Sequence, residues 1–244
     1  MPTFVLVHGG HMGGWCWNPV RAHLQKQGHT VYTPTLTGCG DRSHLASPNV
    51  TMETHVQDIT SFLYSYDLKD IVLVGHSYGT WICTQVVDQM PERIGHMVCL
   101  DGQLFRDGEG GMTNRTEEQR EQLRRLAQER GEGWKLPPPP RRTSLFNDFS
   151  DEVWAWVEPR MAPMNLSWFE APCKVKRFFD LGIPGTMIRC AQSPFNRGGD
   201  NPAVHRAQEL GWTVEWIDAG HYCMCTRPAD TAEALHQVAF RSRL

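Results

Sequence analysis

An excess of positive charge is the first thing this sequence lacks: across 244 residues, 24 Lys and Arg stand against 27 Asp and Glu, a formal charge of −3 with histidine neutral. Domains that hold nucleic acid normally carry a basic face, so no nucleic-acid partner is expected. Long apolar runs are missing as well, and none approaches the roughly 20 residues that a bilayer span needs. The opening Met1-Pro2-Thr3-Phe4 has no basic region ahead of an apolar stretch. The expectation is therefore a soluble, cytoplasmic chain with no membrane partner. Glycine is plentiful, but neither GxGxxG nor GxxxxGK(S/T) occurs, which argues against a nucleotide, and no cofactor is expected. Of the eight cysteines, Cys223 and Cys225 have CxC spacing without a second pair or an HxxxH partner, so no metal is expected. A chain of this length builds a core without disulfides, and reduced thiols are the expectation.

What is present is a rhythm. Short apolar, β-branched runs recur at Phe4–Val7, Thr30–Tyr32, Ile71–Val74, Met97–Leu100, Thr186–Cys190 and Thr213–Ile217. Helical patterns fall between them, at Pro19–Gln27, Met52–Tyr66, Tyr78–Gln89, Asn201–Leu210 and Pro228–Phe240. Alternation of this kind predicts an α/β fold with a mainly parallel sheet and helices on both faces. One stretch breaks it: residues 102–185 offer no clear strand, and about 80 residues is too long for an ordinary connection. The predicted organisation is a core of residues 1–101 and 186–244 with residues 102–185 inserted as a helical cap.

The chemistry is legible at the strand ends. Ile71–Val74 runs into Gly75-His76-Ser77-Tyr78-Gly79 and then a helix, the strand, turn, helix setting in which GxSxG lifts a serine hydroxyl above the sheet edge. Ser77 is thus the candidate nucleophile. A serine needs a base, and His221, just past the last predicted strand in Asp218-Ala219-Gly220-His221, reaches the same edge. The base needs an orienting acid. Asp101, directly after Met97–Leu100, is the first candidate; Asp200, at the end of a long loop, is the alternative. The oxyanion donors are expected from the amides of Gly10, with His11 as runner-up, and of Tyr78. His8 reads as a buried support of the first loop.

These residues resemble those of a family. The run Phe4 to Trp17 with His8-Gly9-Gly10-His11, the segment Thr35-Leu36-Thr37-Gly38-Cys39-Gly40-Asp41-Arg42, Gly75-His76-Ser77-Tyr78-Gly79-Thr80 and Ala219-Gly220-His221 together look like the α/β-hydrolase superfamily. More narrowly they resemble its compact branch of EstC-like bacterial esterases, plant methylesterases and hydroxynitrile lyases. The resemblance implies an α/β-hydrolase fold, Ser77 and His221 as nucleophile and base, and Gly10 and Tyr78 as oxyanion donors. Plant members keep their acid where this chain has Gln192-Ser193-Pro194, whereas haloalkane dehalogenases and zearalenone lactonases place one where Asp101 stands. Hydroxynitrile lyases carry a threonine and a lysine where this chain has Gly9 and Tyr222, which sets lyase chemistry of that kind aside.

The expected activity is hydrolysis of a small, largely apolar or aromatic carboxylic ester, lactone or related acyl compound through an acyl-enzyme. The alternative is a non-hydrolytic cyclase, decarboxylase or lyase on the same site, and a third class is a binding protein that retains the pocket. The aromatics of the cap, Trp134, Trp154, Trp156, Trp168 and Phe169, imply an apolar pocket, and His11, Trp134, Trp154 and Trp168 are the expected substrate contacts. For each tryptophan, simple packing of cap onto sheet is the competing expectation. The partner is a small molecule, and composition leaves a homodimer open.

Overall fold

Phe4, Leu6, Val72 and Val74 point to one face of the central sheet, while Val5, Val7 and Leu73 point to the other, and all are buried. Runs that are apolar on both faces belong to a parallel sheet covered on both sides. The computed structural model describes residues 1–196 and 201–241 and contains such a sheet. Its strands are β1 (Thr3–Val7), β2 (Thr30–Tyr32), β3 (Ile71–His76), β4 (Ile94–Leu100), β7 (Gly185–Cys190) and β8 (Thr213–Ile217). They lie in the order β2-β1-β3-β4-β7-β8, and every pairing is parallel.

The helices divide between the faces. On one side α1 (Asn18–Lys26) and α9 (Pro228–Arg241) bury Val20, Leu24, Leu235 and Val238. On the other, α2 (Met52–Ser65), α3 (Tyr78–Gln89) and α7 (Pro202–Glu209) bury Ile59, Ile82, Val86 and Ala207. Thr51 caps α2 through a reciprocal capping box with Thr54, which satisfies two amides that the helix start leaves open. From β1 the chain first moves outward to β2, then returns to β3 on the opposite side of β1. The crevice for a ligand in an open α/β sheet lies at such a reversal, beyond the carboxyl ends of the strands.

Residues 102–184 join β4 to β7. They carry α4 (Glu117–Arg130), α5 (Asp151–Val157) and α6 (Leu166–Glu170), together with the two-residue antiparallel strands β5 (Lys135–Leu136) and β6 (Met164–Asn165). A two-residue strand leaves no periodicity to read, so β5 and β6 are additions to the helical expectation. A short helix α8 (Cys223–Thr226) follows β8. The long connection packs back onto the loops leaving the carboxyl edge: Asn165 Nδ2 donates to Val50 O at 2.9 Å, Trp168 Nε1 to the same carbonyl at 2.8 Å, and Ala162 N to His11 O at 3.0 Å.

Candidate active site

Ser77 sits at the turn between β3 and α3 with φ 52° and ψ −120°, a backbone region that a side chain rarely occupies. The neighbouring glycines make this turn geometrically feasible. A Cβ on Gly79 would stand 2.6 Å from the carbonyl oxygens of Val7 and His8, and one on Gly75 would stand 2.7 Å from Thr80 Cα. The turn is held from both ends, with Ser77 N donating to Leu100 O at 3.1 Å and Thr80 Oγ1 to Gly75 O at 2.8 Å.

The structure brings Ser77, His221 and Asp101 together. His221 Nδ1 lies 2.7 Å from Asp101 Oδ2, and its Nε2 lies 3.1 Å from Ser77 Oγ. An ionised carboxylate only accepts, so Nδ1 carries the proton and Nε2 presents its lone pair to the serine hydroxyl. Asp101 itself has φ 45° and is 2% exposed. Burial alone would raise its pKa, but the His221 hydrogen bond, the neighbouring charges of His221 and Arg189 and the Ser193 hydroxyl outweigh it and hold the carboxyl well below the usual range. Asp200, the alternative acid, lies outside the described residues.

Behind the acid stands a group the sequence reading did not single out. Arg189, the penultimate residue of β7 and fully buried, places Nε 3.7 Å from Asp101 Oδ1 and donates Nη1 to Gly102 O at 2.7 Å. Asn196 bridges the two: its Oδ1 accepts from Arg189 Nε at 2.7 Å, and its Nδ2 donates to Asp101 Oδ1 at 2.9 Å. The signal was in the strand itself, since an arginine inside a buried β-strand needs a carboxylate or carbonyls to be tolerated. Asp148, from the long connection, also went unread. Its Oδ2 accepts from Gly220 N and from Thr226 Oγ1, both at 2.7 Å, tying the loop that carries His221.

Buried neutral histidines support the site. His76 donates Nε2 to the His221 carbonyl at 2.8 Å, with its ring 4.6 Å from that of His221. Burial, and next the charge of His221, push its pKa down to about 3. His8 accepts from Leu36 N on Nε2 at 3.1 Å and donates Nδ1 to Gly9 O at 2.8 Å, with burial lowering its pKa to about 4. It therefore holds the first loop as expected of a support. His55 donates to Thr37 O at 2.8 Å and accepts the Tyr78 hydroxyl at 2.9 Å, which anchors the ring of the residue after Ser77.

A cavity of about 750 Å³ opens beside Ser77 and His221, within the size range of small-molecule sites. Gly10, His11 and Tyr78 line it. So do Trp81 from α3, Phe105, Leu123, Leu126, Met164 and Phe169 from the long connection, and Phe195, whose ring stands edge-on to His221 at 4.8 Å. Three expected contacts are corrected: Trp134, Trp154 and Trp168 are not in this wall. Trp168 is 1% exposed, stacked on Tyr78 at 5.7 Å and edge-on to His55 at 4.4 Å, so it clamps the connection to the sheet domain. Trp154 packs against Phe146 at 5.1 Å, and Trp134 lies under the Lys135 ammonium at 4.7 Å. The rings of Trp168 and Trp154 are thus spent on packing, and that of Trp134 on a lysine. All eight cysteines are buried free thiols.

Comparison with known proteins places the chain. The alpha/beta hydrolase family matches residues 4–234. A carbendazim hydrolyzing esterase of Nocardioides sp. (strain SG-4G) is 33% identical over 248 residues, covering 96% of this chain and 98% of that protein. Methylesterase 17 of Arabidopsis thaliana is 30% identical over 108 residues, 44% of this chain and 39% of its own length. Among solved structures, an extracellular alpha/beta-hydrolase from a Paenibacillus species superimposes with a TM-score of 0.85 at 26% identity, covering 98% of this chain and 99% of that one. It is described as sharing structural and functional homology with tobacco salicylic acid binding protein 2.

Proposed function

This chain belongs to the alpha/beta hydrolase family, as a carboxylic ester hydrolase of its esterase and methylesterase branch, and on that premise we propose that it acts through an acyl-enzyme on Ser77. The reading rests on one observation above all: His221 is hydrogen-bonded to Ser77 Oγ on one ring nitrogen and to Asp101 on the other.

Ser77 Oγ attacks the ester carbonyl carbon as His221 Nε2 takes its proton, and Asp101 keeps the imidazole in the required tautomer and stabilises the imidazolium. Negative charge then gathers on the carbonyl oxygen. The amides of Gly10 and Tyr78 receive it; Tyr78 is the first residue of α3, whose amide has no acceptor within the helix and whose end carries the positive pole of the helix dipole. His221 returns its proton to the departing alkoxide, and the acyl group stays on Ser77. A water deprotonated by His221 releases the acid and restores the serine. His76, neutral well into the acid range, steadies the His221 backbone without competing for the proton.

The substrate is a small ester, lactone or related acyl compound with a largely apolar body, matching walls supplied by Trp81, Phe105, Phe169 and Leu126. The connection 102–184 acts as a cap that sets this choice, because more than half of the wall comes from it. The test is a fluorophosphonate probe with peptide mapping, alongside hydrolysis of p-nitrophenyl butyrate. The adduct is expected on Ser77, and Ser77→Ala is expected to abolish turnover. Turnover that persists in Ser77→Ala would refute the proposal.

A further inference from the structure

One charged group in the cavity has no role in the steps above. Arg115, which precedes α4, lines the same space as Ser77 and His221 and is half-buried there. Its guanidinium lies over the Phe169 ring at 5.3 Å, and Nη1 donates to Gly111 O. Among the described residues no carboxylate comes within ion-pair range of it. Its neighbours differ: Arg120 holds Glu117 at 3.3 Å, and Arg124 holds Glu117 at 3.1 Å and Glu170 at 3.0 Å. Asp101 is the only acid among the described lining residues, and its oxygens are taken by His221 and by Asn196. Withdrawing a cation from water is costly unless an anion meets it. Burial does lower the Arg115 pKa, yet a guanidinium stays charged at neutral pH.

We propose that Arg115 is an anion-recognition subsite of the reaction cavity, and that the preferred substrate is an ester bearing a carboxylate beyond an apolar or aromatic spacer. This rests on the ester-hydrolase reading for its choice of ligands. Successive ring contacts connect the two ends of the wall. Tyr78, next to the nucleophile, meets Trp81 at 5.2 Å; Trp81 meets Phe169 at 5.6 Å; and Phe169 carries Arg115. An apolar spacer lies along those rings while its ester end reaches Ser77 and its carboxylate accepts two parallel N–H bonds from the guanidinium, the geometry that favours arginine over lysine. Asn114 and Gln119 line the cavity too and can donate amide hydrogens to the same oxygens.

The test is calorimetric binding of two esters, methyl (4-carboxyphenyl)acetate and methyl (4-methylphenyl)acetate, to Ser77→Ala protein, with and without Arg115→Gln or Arg115→Lys added. Wild-type Arg115 is expected to bind the carboxy ester at least tenfold more tightly. Arg115→Gln is expected to bring the ratio of the two Kd values near one, and Arg115→Lys to restore part of it. Equal affinity for the two esters with Arg115 present, or a ratio unmoved by Arg115→Gln, would overturn the subsite. Turnover of the same esters by the Ser77 protein, followed by acid release, separately tests the hydrolase reading: binding preference without turnover would keep the subsite and sink that reading.

Discussion

His221 Nδ1 meets Asp101 Oδ2 at 2.7 Å although 120 residues of chain separate them, because β4 and β8 both end at the carboxyl edge with only β7 between. The bond fixes which nitrogen faces Ser77. Asp101→Asn presents a neutral amide to the imidazole, and the comparable change in serine proteases costs a factor near 10⁴ in kcat. A loss of about that size is expected here, measured by steady-state hydrolysis of p-nitrophenyl butyrate on protein whose circular dichroism is native. A kcat within tenfold of wild type would mean that another acid orients His221.

Arg189 is expected to matter to folding as much as to the acid. Both it and Asp101 are fully shielded from solvent at 3.7 Å, and removing one member of a buried pair typically costs about 3–5 kcal/mol because the other is left uncompensated. Urea unfolding of Arg189→Met is expected to show a loss of that order. A stability within about 0.5 kcal/mol of wild type, the usual effect of a neutral surface change, would show that Asn196 and the backbone amides suffice for Asp101.

Acid should unfold this protein early. Burial lowers the pKa of His8, His11, His55 and His96 to about 4 and that of His76 to about 3, against 6.5 for the free side chain. The unfolded chain therefore binds protons that the folded chain refuses between those values, so stability is full above about pH 6.5 and falls as pH drops toward 4. Asp101 adds a further loss only at lower pH, since its folded pKa is depressed below 3.8. Each unit of depression is worth about 1.4 kcal/mol. The midpoint of urea unfolding is expected to fall steeply between pH 6.5 and 4.5; a flat profile over that interval would contradict neutral burial of these rings.

Two glycines should respond differently to alanine. At Gly79 the new methyl would press on two backbone carbonyls at 2.6 Å, neither of which can yield without moving β1. At Gly108, φ is +80° and nothing lies within 4 Å, so only the backbone preference of about 1–2 kcal/mol is lost. Gly79→Ala is expected to be far less stable or insoluble and Gly108→Ala to fold with a modestly lower Tm. Comparable Tm values for the two would contradict the tight turn around Ser77.

The sheet and the positions of Ser77, Asp101 and His221 were legible because strand ends are local features: an apolar run that stops at glycine or aspartate announces both an element and its edge. The expectation at Asp101 came from its place directly after the strand that follows the Ser77 helix, and from a resemblance to relatives that carry an acid there. Trp134, Trp154 and Trp168 went astray because the number of aromatic residues in a segment says nothing about which way each ring points. Trp81 in α3 and Phe105 at the start of the long connection do line the cavity, but each sits among ordinary apolar core residues and carries no mark in the sequence. Asn196 reaches Asp101 across 95 residues and Asp148 reaches Gly220 across 72, so no local pattern shows what either side chain holds. Arg189 was visible in principle, as a cation inside an apolar strand.

Ser77 is proposed to carry the acyl group during turnover. Rapid acid quench of the enzyme mixed with p-nitrophenyl butyrate, followed by peptide mass spectrometry, tests it directly. A butyryl group on the peptide containing Ser77, appearing with the first release of p-nitrophenol and decaying at the rate of butyrate release, is the predicted result. Turnover with the acyl group on another residue, or with Ser77 unmodified while Ser77→Ala remains active, would contradict it.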